Sequence, residues 1–173
     1  MVTAPLSWFE RKFDFSFPPE IFPAVLERLR GTPARAEELV RSFPASVYTQ
    51  RLGTKWSVQE HIGHLGELDG LHDGRIDDFL EGKAVLRPSD PQHRKTSDYN
   101  QGSMDTLLRN LRTGRQRMVY RLENIPIDVI SRTAEHPRLR QKMRLVDMMY
   151  FIAEHDDHHL AHIIYCAYRI LNR

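Results

Sequence analysis

The chain has 173 residues, of which 40% are hydrophobic and 28% are charged. This length suits one domain with a single core, and the composition is typical of a soluble globular protein rather than a disordered or membrane protein. The formal net charge of +2 gives no general electrostatic reason to expect nucleic acid as a partner.

Cysteine usage and the absence of long apolar runs bear on the compartment. Cys166 is the only cysteine, so the chain forms neither an intrachain disulfide bond nor a cysteine-based zinc site. The first residues lack the apolar stretch of a secretion signal, and no run approaches the roughly 18 apolar residues of a membrane span. We therefore expect a cytoplasmic protein without a membrane partner.

The chain begins with an aromatic segment, WFERKFDFSFPP, over residues 8–19. Phe13, Phe15 and Phe17 alternate with polar residues, so they would share one side of an extended segment. We expect residues 1–18 to form an arm that covers apolar surface of a single domain spanning residues 19–173. The alternative is that the arm offers an edge to a partner chain.

Four helical stretches are predicted after the arm. The first follows Pro19 and runs to about Phe43; the sequence Gly31-Thr32-Pro33 makes it either two helices or one kinked helix. The second begins at Ser57, which forms an S-x-x-E capping box with Glu60, and runs to about residue 81.

The third predicted helix runs from about Ser103 to Asn124, before Pro126, and the fourth from about Arg144 to Leu171. The intervening segments show no convincing strand pattern. The sequence therefore predicts an all-α four-helix bundle.

The fourth helix contains an unusual group of histidines in the sequence EHDDHHLAHI, residues 154–163. Residues three, four and seven apart share one face of a helix, so His155 and His162 can project together with either His158 or His159. The i, i+4 pair His158/His162 has the spacing with which a helix offers two nitrogens to one metal ion. Spacing alone does not choose between His158 and His159 as the partner of His162.

A third ligand would come from the second helix, which offers His61, His64 and His72. The apolar pattern of that helix centres its buried face nearer His61 and His72, with His64 at the edge. The pattern predicts a histidine site between two helices without fixing its members. The alternative is that the histidines only form hydrogen bonds with one another in the core.

The two motifs WSVQEHIGHL and HDDHHLAHI, about ninety residues apart, resemble the DinB/YfiT-like superfamily of metal-binding four-helix bundles. The resemblance covers the chain from about residue 20 to its end. It implies one ligand eight residues after the tryptophan, here His64, and an H-x-x-x-H pair on the last helix, here His158 and His162. It also implies zinc or nickel as the metal, and activity as a hydrolase or as a transferase of a low-molecular-weight thiol.

Three neutral imidazoles leave a divalent ion with an open coordination position, which is typical of a catalytic site. Such an ion activates water or binds a thiol as thiolate. The candidates for proton transfer are His155, His159 and Glu60, although the capping box already explains Glu60. Glu154 could orient His158, whereas Asp157 points to another side of the helix and is expected at the surface.

Arginines on the third helix allow two further hypotheses. Arg115 falls on the apolar face, where it could anchor a substrate anion, or could reach solvent past a distortion at Gly114. Other arginines spread over both flanks of the helix, which favours a solvated face over a nucleic-acid surface: Arg109, Arg112, Arg117 and Arg121.

Together these patterns predict a metal-dependent enzyme that acts on a small molecule. The rival hypotheses are a non-catalytic metal- or ligand-binding protein of a stress response and a structural dimerisation bundle. A homodimer is compatible with the arm, although no interface motif indicates one.

Overall fold

The computed structural model describes residues 3–89 and 98–172. Its helices are α1 (Phe22–Arg41), α2 (Val58–Leu80), α3 (Met104–Glu123) and α4 (Leu145–Leu171). Helices α1 and α2 each pack against both α3 and α4. In this part of the chain, none of the helices has the length and apolar character needed to cross a bilayer.

Helix α1 is one continuous helix with Pro33 inside it, rather than two helices. Proline has no N–H, so the carbonyl oxygen of Leu29, four residues earlier, loses its helical partner. Arg115 replaces that partner, since its Nη1 donates to the Leu29 oxygen at 3.2 Å. The sequence Gly31-Thr32-Pro33 is thus accommodated by a contact from another helix.

The predicted helix starts agree with the capping chemistry. Ser57 and Glu60 form the capping box of α2, with the Glu60 N–H donating to the Ser57 hydroxyl at 3.1 Å and the Ser57 N–H donating to the Glu60 carboxylate at 2.8 Å. Ser103 caps α3 by accepting from the Thr106 N–H at 3.2 Å. These side chains satisfy backbone donors that have no partner within the helix.

A short antiparallel hairpin joins α3 to α4, and the expectation that this segment holds no strand is wrong. Strand β1 (Thr133–His136) pairs with β2 (Gln141–Arg144), Thr133 opposite Arg144 and His136 opposite Gln141. Arg140 takes a left-handed backbone conformation in the turn, with φ of 54°. Four-residue strands are too short to give a clear alternating pattern, which explains why the sequence did not indicate them.

The bundle interior holds two apolar clusters with polar side chains between them. Each helix contributes one residue to a hydrogen-bonded group at this level, which consists of Thr32, Asp69, Arg115 and Asp156. We call these four residues the charged layer. All four are buried.

The N-terminal arm lies along α4. The Phe13 and Phe151 ring centroids are 5.0 Å apart, as are those of Phe17 and Tyr150. The Arg144 guanidinium fixes the arm's backbone by donating to the carbonyl oxygens of Phe15 and Phe17 at 3.0 and 2.9 Å. The arm therefore covers apolar surface of α4 and carries Trp8 towards the histidines.

Candidate metal centre

Helices α2 and α4 bring three histidines together in the middle of the bundle. Each of His64, His155 and His159 offers a ring nitrogen, and these nitrogens lie within 4.8 Å of one another. The Nε2 atoms of His155 and His159 are 3.1 Å apart. Among the described residues, this histidine cluster is the one group of three such side chains close enough to hold a metal ion.

His61 lies behind the cluster rather than in it. Its Nδ1 is 2.7 Å from the Nδ1 of His159, and both side chains are buried. An imidazole that uses Nε2 as a ligand carries its proton on Nδ1 and commonly donates it to a neighbouring acceptor. The contact would therefore fix the ring of His159 with Nε2 towards His155.

Two tryptophans enclose the cluster. Trp56, next to the cap of α2, packs against His64 with ring centroids 4.9 Å apart and lies nearly parallel to His159 at 5.8 Å. Trp8 of the arm contacts the edge of His155 at 4.8 Å. Sequence reasoning does not connect Trp8 with the site, because residues of an extended arm can be placed only once their partner helix is known.

The cluster faces a cavity of about 350 Å³, whose walls include Trp8, Trp56 and Lys55. The cavity leaves space beside the three nitrogens for water or a small molecule. An open position of this kind distinguishes catalytic metal sites from closed structural ones.

Burial keeps the imidazoles of His61 and His159 neutral. It lowers the pKa of His61 to about 3 and that of His159 well below its usual value, and the neighbouring histidines lower both pKa values further. A neutral imidazole has a free lone pair on one nitrogen, which is the form that binds a metal ion.

The helix-four pair implied by the resemblance, His158 and His162, lies beside the cluster. Their ring centroids are 4.5 Å apart, and His162 stacks on His61 at 5.7 Å. Both are only partly buried. An offset of three residues turns this pair about 60° around α4 relative to His155 and His159. The structure therefore groups His64 with His155 and His159 rather than with His158 and His162.

The acidic candidates near the site are engaged elsewhere. Glu60 holds the cap of α2 and forms an ion pair with Arg51. Glu154 pairs with Arg11 of the arm and with Arg28, rather than orienting His158.

The interpretation of Arg115 as a side chain that reaches solvent is wrong. It is buried, and its five N–H groups donate five hydrogen bonds to four oxygens of Asp69, Asp156 and Leu29, at 2.5 to 3.2 Å. Burial opposes its charge, but the carboxylates of Asp156 and Asp69 raise its pKa above the usual value. Its bonding capacity is used within the fold, which leaves no N–H for a substrate anion.

Three other arginines of α3 form ion pairs along the bundle surface. Arg112 pairs with Glu37 at 2.6 Å, and Arg117 pairs with Asp73 at 3.3 Å. Arg121 contacts the same aspartate at 2.8 Å. These contacts agree with a solvated face.

A model of the DinB superfamily matches residues 28–163, which is most of the chain. The chain belongs to the DinB superfamily. Its structure is similar to that of YfiT from Bacillus subtilis, described as a probable metal-dependent hydrolase with an unusual four-helix bundle topology. The TM-score is 0.79 at 21% sequence identity, covering 93% of this chain and 94% of the other. No curated protein sequence matches the chain.

These comparisons confirm the predicted superfamily and the predicted four-helix bundle. At 21% identity the likeness to YfiT concerns the fold. The metal and its ligands in this chain are therefore argued from the geometry of its own residues.

Proposed function

We propose that this DinB-superfamily protein is a metal-dependent hydrolase of a small molecule, with one divalent ion held by His64, His155 and His159. The observation that carries the proposal is the convergence of three buried ring nitrogens within 4.8 Å at the wall of a cavity. The expected metal is zinc or nickel, as the superfamily resemblance implies, and neutral imidazole suits both.

The donor set fits such an ion. Histidine nitrogens bind zinc at roughly 2.0–2.1 Å, so two of them around a tetrahedral ion lie roughly 3.3 Å apart. The separation of 3.1 Å between the Nε2 atoms of His155 and His159 is close to that value. Three neutral ligands would leave the positive charge of the ion uncompensated, which favours an anionic fourth ligand.

A metal ion in such a site lowers the pKa of bound water to about 7, and can equally stabilise a thiolate. The protein's own contribution is to orient and enclose. His61 would hold the His159 ring through Nδ1, which leaves the proton of His61 on its buried Nε2. Trp8 and Trp56 would limit the access of water to the cluster.

Elemental analysis of protein purified without an affinity tag tests the ligand set. We expect one equivalent of metal in the parent protein and its loss in His64→Ala, His155→Ala and His159→Ala. The matched controls are His158→Ala and His162→Ala, the i, i+4 pair offset by three residues, and we expect both to retain the metal. Circular dichroism verifies that each variant is folded.

If the metal is lost in His158→Ala and His162→Ala but retained in His155→Ala and His159→Ala, the ligand set implied by the superfamily resemblance is supported. That set is His64 with His158 and His162. Failure of the parent protein to bind zinc or nickel, even on reconstitution, would overturn the metal site and favour a structural role for the histidines.

Activity assays on the loaded protein then separate the functions that one donor set allows. We expect hydrolysis of small esters or amides that stops in His64→Ala. Conjugation of a low-molecular-weight thiol without hydrolysis would support a thiol S-transferase instead. Stoichiometric metal with neither activity would favour the metal-binding stress-response protein.

A further inference from the structure

A second cavity, of about 290 Å³, opens on the other side of the histidine cluster. Two cluster members, His64 and His155, line both this cavity and the first one. Its walls are mostly apolar, from Trp8, Phe9 and Phe151, but two arginines also line it. The volume is near the lower end of the range for small-molecule sites, about 300–1,000 Å³.

Arg75 is the buried arginine of this cavity, with 4% of its surface exposed. Its hydrogen-bond partners carry no negative charge: Nε donates to the Arg87 carbonyl oxygen at 3.1 Å, and Nη1 lies 3.2 Å from Nε2 of His136. Burial, and then the charge of Arg75 itself, lowers the pKa of His136 to about 3, so that ring is neutral.

No carboxylate among residues 3–89 and 98–172 forms an ion pair with Arg75. Asp78, one turn further along α2, is taken by Lys83 and Arg87 at 3.0 and 2.9 Å. A buried guanidinium without an ion-pair partner is costly, and a bound anion would offset that cost. Burial lowers the pKa of Arg75 to about 10, although the charge of Asp78 opposes the shift.

Arg138 adds a second guanidinium from the hairpin turn. Its central carbon lies 5.3 Å from the Phe9 ring and 5.8 Å from the Phe151 ring. Within the described part of the chain it likewise forms no ion pair with a carboxylate. The two rings hold the charged group at the cavity, since an arginine is attracted to aromatic faces.

His72 supplies a further polar group. It is buried, lines the same cavity, and its Nδ1 has no hydrogen-bond partner among the described residues. A ligand oxygen in the cavity would satisfy this nitrogen.

We propose that this cavity binds a small organic molecule through an anionic group, a carboxylate or a phosphate, held by Arg75 and Arg138. The rest of the molecule would lie against Trp8, Phe9 and Phe151, with its reactive bond towards His64 and His155. The inference rests on the proposed function, for which it names the substrate class. Guanidinium groups suit carboxylate and phosphate because each presents paired N–H donors to two oxygens.

Calorimetric titration of metal-free protein tests the anion site independently of the metal site. The probes are phenylacetate, phenyl phosphate and the neutral analogue phenylacetamide. We expect at least one anion to bind about tenfold or more tightly than the amide, and the preferred anion identifies carboxylate or phosphate as the recognised group. Equal affinity for the amide and both anions would overturn the proposal.

Variants locate the binding. Arg75→Gln and Arg138→Gln should each weaken the preferred anion by about ten- to a hundredfold, whereas Arg117→Gln, which removes an exposed charge on α3, should not. If Arg75→Gln does not fold, Arg75→Lys and Arg138→Gln carry the test. Unchanged affinity in the folded arginine variants, or an equal loss in Arg117→Gln, would overturn the proposal. Elemental analysis measures metal binding separately, so failure of the anion site can be distinguished from failure of the proposed metal site.

Discussion

The charged layer and the histidine cluster lie side by side in the bundle but satisfy their polar groups in different ways. Asp156 and His155 are consecutive on α4, yet the first belongs to the layer and the second to the cluster. In the layer, every N–H of Arg115 has an acceptor. In the cluster, the imidazole nitrogens of the histidines lie close together beside a cavity.

This difference indicates different roles. A buried cation whose donors are all matched internally needs nothing from outside and serves the fold. Imidazole nitrogens that converge beside a cavity are placed so that they can serve as ligands to a metal ion. The same contrast separates Arg115, which is fully paired, from Arg75, which faces a cavity.

The largest expected effect comes from removing the cation of the charged layer. Arg115→Met would leave Asp69 and Asp156 buried without their partner, and removal of one side of a buried ion pair costs about 3–5 kcal/mol. For a chain of this size we expect the melting temperature to fall by roughly 10 °C or more. Thermal unfolding of the metal-free protein measures the change.

Asp69→Asn and Asp156→Asn added to Arg115→Met provide the control, because they remove the uncompensated charges. We expect this triple variant to regain part of the lost stability. An unchanged melting temperature in Arg115→Met alone would show that the layer is not a structural ion pair.

Lowering the pH should decrease the stability of the protein through its buried histidines and increase it through Asp69 of the charged layer. Folding lowers the pKa values of four buried histidines, His61, His72, His136 and His159. Below pH about 6.5 the unfolded chain therefore takes up protons before the folded chain does, and the free energy of unfolding falls. Burial raises the pKa of Asp69 to about 6, so the folded chain takes up that proton first as pH falls from 6 towards 4, and stability rises.

Four histidines outweigh one aspartate, so we expect the metal-free protein to lose about 3 kcal/mol of unfolding free energy between pH 6.5 and 5.5. Urea unfolding at several pH values measures this slope. His136→Gln, which lies outside the cluster, should flatten the slope by about 1 kcal/mol over the same interval. A slope that is unchanged in His136→Gln would contradict the assignment of that histidine as buried and neutral.

Much of the fold follows from local chemistry that the sequence displays. The start of α2 is predictable because Ser57 and Glu60 form their capping box within four residues. The continuity of α1 is not, because the group that satisfies the Leu29 carbonyl, Arg115, is 86 residues away. The hairpin was missed because its register depends on pairing and not on a repeated apolar pattern.

The candidate site divides in the same way. The sequence indicates a histidine site between the second and fourth helices, because identical side chains recur at helical spacing. It leaves His158 and His159 as alternative partners of His162 and does not single out His155 with His159, because the rotation of α4 against α2 decides which histidines meet His64 and depends on packing. Arg75 and Arg138 carry no motif; what distinguishes them is that neither forms an ion pair with a carboxylate of the described residues, which only the fold reveals.

The smallest expected effect sharpens the comparison at His61, which lies within the cluster's surroundings but outside its ligand set. His61→Leu would remove the acceptor for Nδ1 of His159, and loss of such an outer partner weakens metal binding by about 10- to 100-fold. His61→Gln should retain most of the affinity, since its amide oxygen can accept the same proton. Competition titration with a zinc chelator measures these affinities, and His162→Leu, which removes a ring stacked on the other side of His61, should leave them unchanged. A larger loss of metal affinity in His162→Leu than in His61→Leu would indicate that His158 and His162 are the ligands. A ring that is only stacked near the site affects the metal affinity weakly, whereas a ligand is indispensable.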